Sequence, residues 1–109
     1  MRRFGQVLGL RPERLAEYKR YHERIWPEIA DALARAGITN YSIYHFRGQL
    51  FGYYEYTGPD EDYEARMQTL AAAPRMREWW DIMEPMQAPL EGRKPGAWWA
   101  EMEEVFHLD

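Results

Sequence analysis

The sequence has no cysteine, which excludes disulfides, thiol catalysis and thiolate metal sites. It has no basic block either: 14 Lys and Arg are interspersed with 18 Asp and Glu, for a formal net charge of −4. Without a clustered positive face there is no electrostatic footprint for nucleic acid. The mild acidity also argues against anionic membranes and polyanionic substrates. No stretch approaches the ~20 apolar residues of a membrane span. The start, Met1-Arg2-Arg3-Phe4-Gly5-Gln6, leads into no signal-like apolar run. A soluble cytoplasmic protein is therefore expected, binding neither membrane nor nucleic acid. GxGxxG, P-loop and G-x-S-x-G motifs are missing, so no nucleotide cofactor is expected. The three histidines, His22, His45 and His107, do not pair at metal-ligand spacing, and no metal site is expected.

What the chain has in quantity is aromatic surface. Five Trp and eight Tyr stand among 109 residues, in what length makes a single domain spanning 1–109. Part of that surface must be core, and the rest is available to a pocket or an interface.

Hydrophobic periodicity divides the chain into elements. Arg3 to Leu10 reads as a strand. Pro12 suits the first turn of a helix, since its missing N–H is not needed there. Leu15, Tyr18, His22, Ile25, Ile29 and Leu33 follow at spacings of three and four, which is one helix face, and Gly37 suits the C-terminal cap. Pro27 deletes a helical hydrogen bond and pushes Trp26 out of helical geometry, so a break between Glu23 and Trp26, with two helices in series, is expected. Ile38–Phe46 and Leu50–Thr57 are β-rich, with a hairpin turn at Arg47-Gly48-Gln49. A helix after Gly58-Pro59-Asp60 runs through Ala73. Pro74 interrupts and restarts it to about Met83, with an apolar stripe of Met76, Trp79, Trp80 and Met83. Pro85 to Gly96 reads as a loop, and Met102 to Leu108 as a weak last strand. The order β-α-β-β-α-β predicts an α+β, ferredoxin-like fold: an antiparallel sheet with helices on one face. The uncovered face predicts a homodimer with sheets packed together as a dimeric α/β barrel.

Candidate chemistry centres on His22. It stands four residues after Tyr18 and shares its helix face. Spacing alone allows a core histidine bonded to a backbone carbonyl. A Tyr–His pair on an apolar face beside a deformed backbone is more typical of a site. Trp79-Trp80 reads as core packing or as a sugar platform, because the C–H side of a pyranose stacks on an indole. Tyr41 and the other strand tyrosines supply hydroxyls to a site or ring surface to core and interface. Trp98-Trp99 fits interface packing or a lid over a neighbouring subunit's pocket.

Several stretches together resemble the L-rhamnose mutarotase family: Glu17-Tyr18-Lys19-Arg20-Tyr21-His22, Ile25-Trp26-Pro27-Glu28, Asn40-Tyr41-Ser42-Ile43-Tyr44, Trp79-Trp80 and Glu104-Val105-Phe106-His107-Leu108. The resemblance runs over nearly the whole chain. It implies a dimeric ferredoxin-like domain that interconverts the α and β anomers of a 6-deoxy sugar without a cofactor. It implies a proton donor at His22 and sugar contacts at Tyr18, Tyr41, Trp79 and Trp80. In that scheme His22 gives a proton to the ring oxygen and takes it back on closure. The segment Gln87 to Trp99 departs from the family's Asn-Pro-Asp-Asn-Ser-Pro-like pattern, which opens L-fucose as an alternative sugar. Two other readings remain at this stage: a cofactor-free monooxygenase or haem-degrading enzyme of the same dimeric fold, and a non-catalytic sugar-binding module.

Overall fold

In strand β1, Arg2–Leu10, successive side chains point to opposite sides of the sheet, so Phe4, Gln6, Leu8 and Leu10 form one set, turned inward, and Arg3, Gly5, Val7 and Gly9 the other. Leu8 and Leu10 are buried, as expected where one face of a strand meets a layer of helices. The computed structural model describes all 109 residues and places the elements in the order that the periodicity predicts. After a short 3-10 turn at Pro12–Arg14 come α1, Leu15–Glu23, and α2, Pro27–Arg35. Strands β2, Ile38–Phe46, and β3, Gln49–Tyr56, form the hairpin. Helices α3, Tyr63–Ala72, and α4, Pro74–Met83, follow. Two short strands end the sheet: β4, Gln87–Ala88, and β5, Ala100–Met102.

The strand order is β2-β3-β1-β4, with β5 also on β1, and every pair is antiparallel. This is the ferredoxin-like arrangement, each of its helical crossovers split in two by a proline. Trp26 is extended (φ −63°, ψ 136°) and Pro27 opens α2, because the proline ring excludes helical geometry from the residue before it. Ala73 and Pro74 repeat the device with φ −65° and ψ 126° at Ala73. The hairpin turns on Arg47 and Gly48, both with positive φ (51° and 76°), the type I′ geometry whose twist matches the flanking strands.

One face of the sheet carries all four helices. Between them lie Leu10, Ile29, Leu50, Tyr56, Met76 and Met83, all buried in one cluster. Burying side chains of this size contributes about 1.5–3 kcal/mol each. The other face is open, with Tyr44 and Phe46 exposed over 67% and 64% of their surface. No helix is long and apolar enough to cross a membrane.

Three departures from the sequence reading bear on the site. In β2, Thr39 pairs with Glu55 and Ser42 with Tyr53, so Asn40 and Tyr41 together oppose Tyr54. This is a β-bulge, with Asn40 in left-handed geometry (φ 48°). Strict alternation from Ile38 would send Tyr41 to the open face and bring Tyr44 and Phe46 inward. The extra residue reverses that parity. The last strand is also earlier and shorter than Met102 to Leu108. Pairing on β1 runs from Val7–Ala100 to Gly5–Met102 and stops. Beyond it only side chains hold the tail, through an Arg3–Glu104 ion pair of 2.8 Å. The segment expected as pure loop holds a strand of its own, since Leu10 pairs with Gln87 and Gly9 with Ala88. Gly9 permits this, because a Cβ there would collide with the backbone carbonyl of Ala88.

Candidate functional site

The cleft between the sheet's inner face and the helices is a cavity of about 1700 Å3, and His22, Tyr18, Tyr41, Trp79 and Trp80 all line it. The fold thus gathers the five residues that the resemblance implies for the site, whereas Tyr53, Tyr56 and His107 lie outside it. The cavity is roomier than the roughly 300–1,000 Å3 typical of small-molecule sites, so a small guest must be fixed by individual wall groups.

Helix α1 supplies two of those groups one turn apart. The His22 and Tyr18 rings lie 4.3 Å apart and stack. His22 Nδ1 is 2.8 Å from the Tyr18 backbone carbonyl. A carbonyl only accepts, so Nδ1 carries the proton and the neutral ring keeps an unprotonated Nε2. Nε2 has no hydrogen-bond partner within the chain. The backbone bond is the one that the core reading expected, and the other edge of the ring is left free. Burial lowers the His22 pKa below its ordinary value, while the carbonyl bond opposes this more weakly. His22 is therefore neutral at pH 7, ready to accept a proton.

The tandem tryptophans differ. Trp79 is only 6% exposed and is packed edge-on against Tyr21, His22 and Trp26, at ring distances of 6.0, 5.5 and 5.1 Å. It braces the His22 ring from α4. Trp80, one helical step of about 100° away, is half-buried, with the Arg77 guanidinium 5.7 Å from its ring. It retains accessible ring surface for a guest.

Tyr41 reaches the cavity because of the bulge. It exposes 38% of its surface by opening onto the cavity, yet the protein around its hydroxyl pushes its pKa well up. Gln6 Nε2 lies 3.4 Å from that hydroxyl. Burial likewise raises the Tyr18 pKa, so both phenols stay protonated at neutral pH. The other strand tyrosines are mostly structural. Tyr56 is fully buried and donates to the Pro59 carbonyl at 2.7 Å. Tyr54 pairs with the Tyr63 hydroxyl at 2.8 Å, and Tyr53 donates to Glu55 at 2.7 Å.

Sequence reasoning missed the two glutamines. Gln87 is buried (5% exposed) and touches the Tyr18 hydroxyl through Nε2 at 3.1 Å. Its Oε1 accepts from Trp98 Nε1 at 2.8 Å. Gln6 carried a usable signal, being a polar residue in the inward set of β1 between Phe4 and Leu8. Gln87 carried none, since its partner is far away in sequence. Trp98 and Trp99 both line the cavity of their own chain, a placement that neither sequence reading of them included.

The profile of the L-rhamnose mutarotase family matches residues 3–108. An L-rhamnose mutarotase of Lactiplantibacillus plantarum is 39% identical over 100% of both chains, and one of Bacillus subtilis is 33% identical with the same coverage. The crystal structure of an L-rhamnose mutarotase from Formosa agariphila has the same fold, with a TM-score of 0.77 at 24% identity over 100% of both chains.

Proposed function

The chain belongs to the L-rhamnose mutarotase family, and from that premise we propose that it interconverts the α and β anomers of L-rhamnose, with His22 as the acid/base group. The observation that carries the role of His22 is the bond from Nδ1 to the Tyr18 carbonyl, which leaves Nε2 as a base on a cavity wall.

Anomer exchange needs little more. Nε2 takes the proton from the C1 hydroxyl. The electron pair left on that oxygen forms the aldehyde C=O as the C1–O5 bond breaks, and O5 receives the proton back from the imidazolium. Both oxygens are attached to C1, so one nitrogen beside C1 serves each in turn. Rotation about C1–C2 presents the other face of the aldehyde, and the same steps in reverse close the ring. His22 accepts first and donates second, which refines the donor role that the resemblance implies. A positioned imidazole of this kind contributes a factor of about 10²–10⁴. The protonated phenols of Tyr18 and Tyr41 are suited to hold the developing charge on O5 and to orient the hydroxyls. Trp80 stacks on the apolar side of the sugar. The scheme requires no cofactor.

L-fucose is the second candidate sugar, because the divergent segment supplies Arg93, Lys94, Trp98 and Trp99 to the cavity wall. We further propose that the open sheet face packs against a second copy, giving a homodimer.

The test is anomer-exchange NMR with L-rhamnose and L-fucose side by side, on the wild type and on His22→Asn. Accelerated exchange by the wild type, largely lost in a folded His22→Asn protein, is expected. Sugar binding without acceleration would make the protein a binding module. Haem binding or oxygen uptake without acceleration would favour the other enzymes of this fold.

A further inference from the structure

Trp98 and Gln87 together determine which way a hydrogen bond runs inside the cavity. An indole N–H only donates. The 2.8 Å contact from Trp98 Nε1 therefore fixes the Gln87 oxygen on the side of Trp98 and its NH2 on the side of Tyr18. That NH2 donates to the Tyr18 hydroxyl oxygen at 3.1 Å. With its oxygen already accepting, and with no other acceptor for its proton within the chain, the Tyr18 hydroxyl can only point its O–H into the cavity. Gln6 beside Tyr41 lacks this lock. Its contact is 3.4 Å and its carbonyl oxygen has no partner to fix the amide.

We infer that Gln87, locked by Trp98, is a positioning residue that makes the Tyr18 hydroxyl an obligate proton donor toward the sugar. The inference rests on the sugar reading given above. It places one determinant of hydroxyl recognition in the divergent segment itself, at its first residue and its penultimate one. A site that offers only a donor at one point favours a sugar oxygen with a free lone pair there. It rejects one whose only available group is a proton, because a buried polar group is then left unpaired.

Gln87→Glu tests this with little change of shape. The carboxylate still accepts from Trp98, but it also accepts from Tyr18, which turns the phenol proton away from the cavity. The expected result is a fall in kcat/KM for L-rhamnose of about tenfold or more. The ratio of variant to wild-type activity should decrease as pH rises through titration of the introduced carboxyl, and recover when it is protonated. In a Tyr18→Phe background the loss should not add, since the effect acts through the phenol. Trp98→Phe, which frees the amide from a position near the surface, serves if the first variant folds poorly. It should give a smaller fall, also absent in the Tyr18→Phe background. A pH-independent ratio, or losses that add in full, would overturn the inference while leaving the mutarotase activity standing. If the wild type leaves exchange at its uncatalysed rate, the activity reading fails. The same ratio and the same cycle are then read in the L-rhamnose dissociation constant by tryptophan fluorescence. Coupling there would uphold the Gln87 role, and no coupling or no binding would remove it.

Discussion

Burial and a backbone carbonyl pull the His22 pKa in opposite directions, and burial wins. The functional consequence is an acid limb. Nε2 is a base only while the ring is neutral, so activity should fall as pH drops below about 6.5 through the lowered value and be level through pH 7. The stability consequence has the same sign. In that window the unfolded chain holds more protons at His22 than the folded one, so stability is lost as pH falls. Melting temperature against pH, measured for the wild type and His22→Ala, should show this component in the first and not the second. The tandem tryptophans give a second expectation. Trp79→Ala removes a buried ring and should cost about 3–5 kcal/mol, seen in denaturant unfolding. Trp80→Ala should cost clearly less and raise KM for every accepted sugar. The reverse assignment of losses would refute the division of roles. Of these residues, the helix pair was legible from its spacing and the tryptophans from their adjacency. What the sequence could not convey is that Trp79 faces His22, since that contact joins α4 to α1.

At the level of elements, the proline breaks at Trp26-Pro27 and Ala73-Pro74 and the hairpin at Arg47-Gly48 were legible, because each follows from a local steric rule. The bulge was not. Thr39-Asn40-Tyr41 reads as ordinary strand, and only the pairing with β3 reveals that two residues oppose one. The last strand was misplaced because apolar alternation continues to Leu108, whereas the pairing with β1 ends at Gly5–Met102. The bulge is also where a small change should have a large effect. Asn40 holds positive φ and its amide donates to Glu55 at 2.7 Å. Asn40→Val should cost about 1–2 kcal/mol from left-handed geometry alone and shift Tyr41, lowering exchange activity. Asn40→Gly accepts the same φ and should retain more of both. Equal losses in the two variants, by urea unfolding and exchange NMR, would mean that backbone geometry at residue 40 does not position Tyr41.

For the molecule as a whole, the asymmetry between the sheet's two faces matters most. The inner face is filled by helices and a cavity. The outer face presents Tyr44 and Phe46, and Val105, Phe106 and Leu108 of the tail are also exposed. Large exposed apolar groups of this kind mark association surfaces. Sedimentation should therefore find a dimer at micromolar concentration, and Tyr44→Glu with Phe46→Glu should shift it to monomer. A monomeric wild type would defeat the proposal. Composition and topology pointed to this face in advance, but the bulge changed which aromatics it bears. The cavity's own construction has a different consequence. The segment from β4 to β5 leaves β1 at Gly9 and returns to it at Val7, so both of its ends are pinned to one strand. Lengthening such a closed segment costs little, about 0.6 kcal/mol per doubling, and need not disturb the helix that carries Tyr18 and His22. The stretch between those ends can be exchanged as a cassette so long as Trp98 stays to hold Gln87, so grafting residues 89–97 between relatives should alter sugar preference and leave the Tyr18–His22 pair in place.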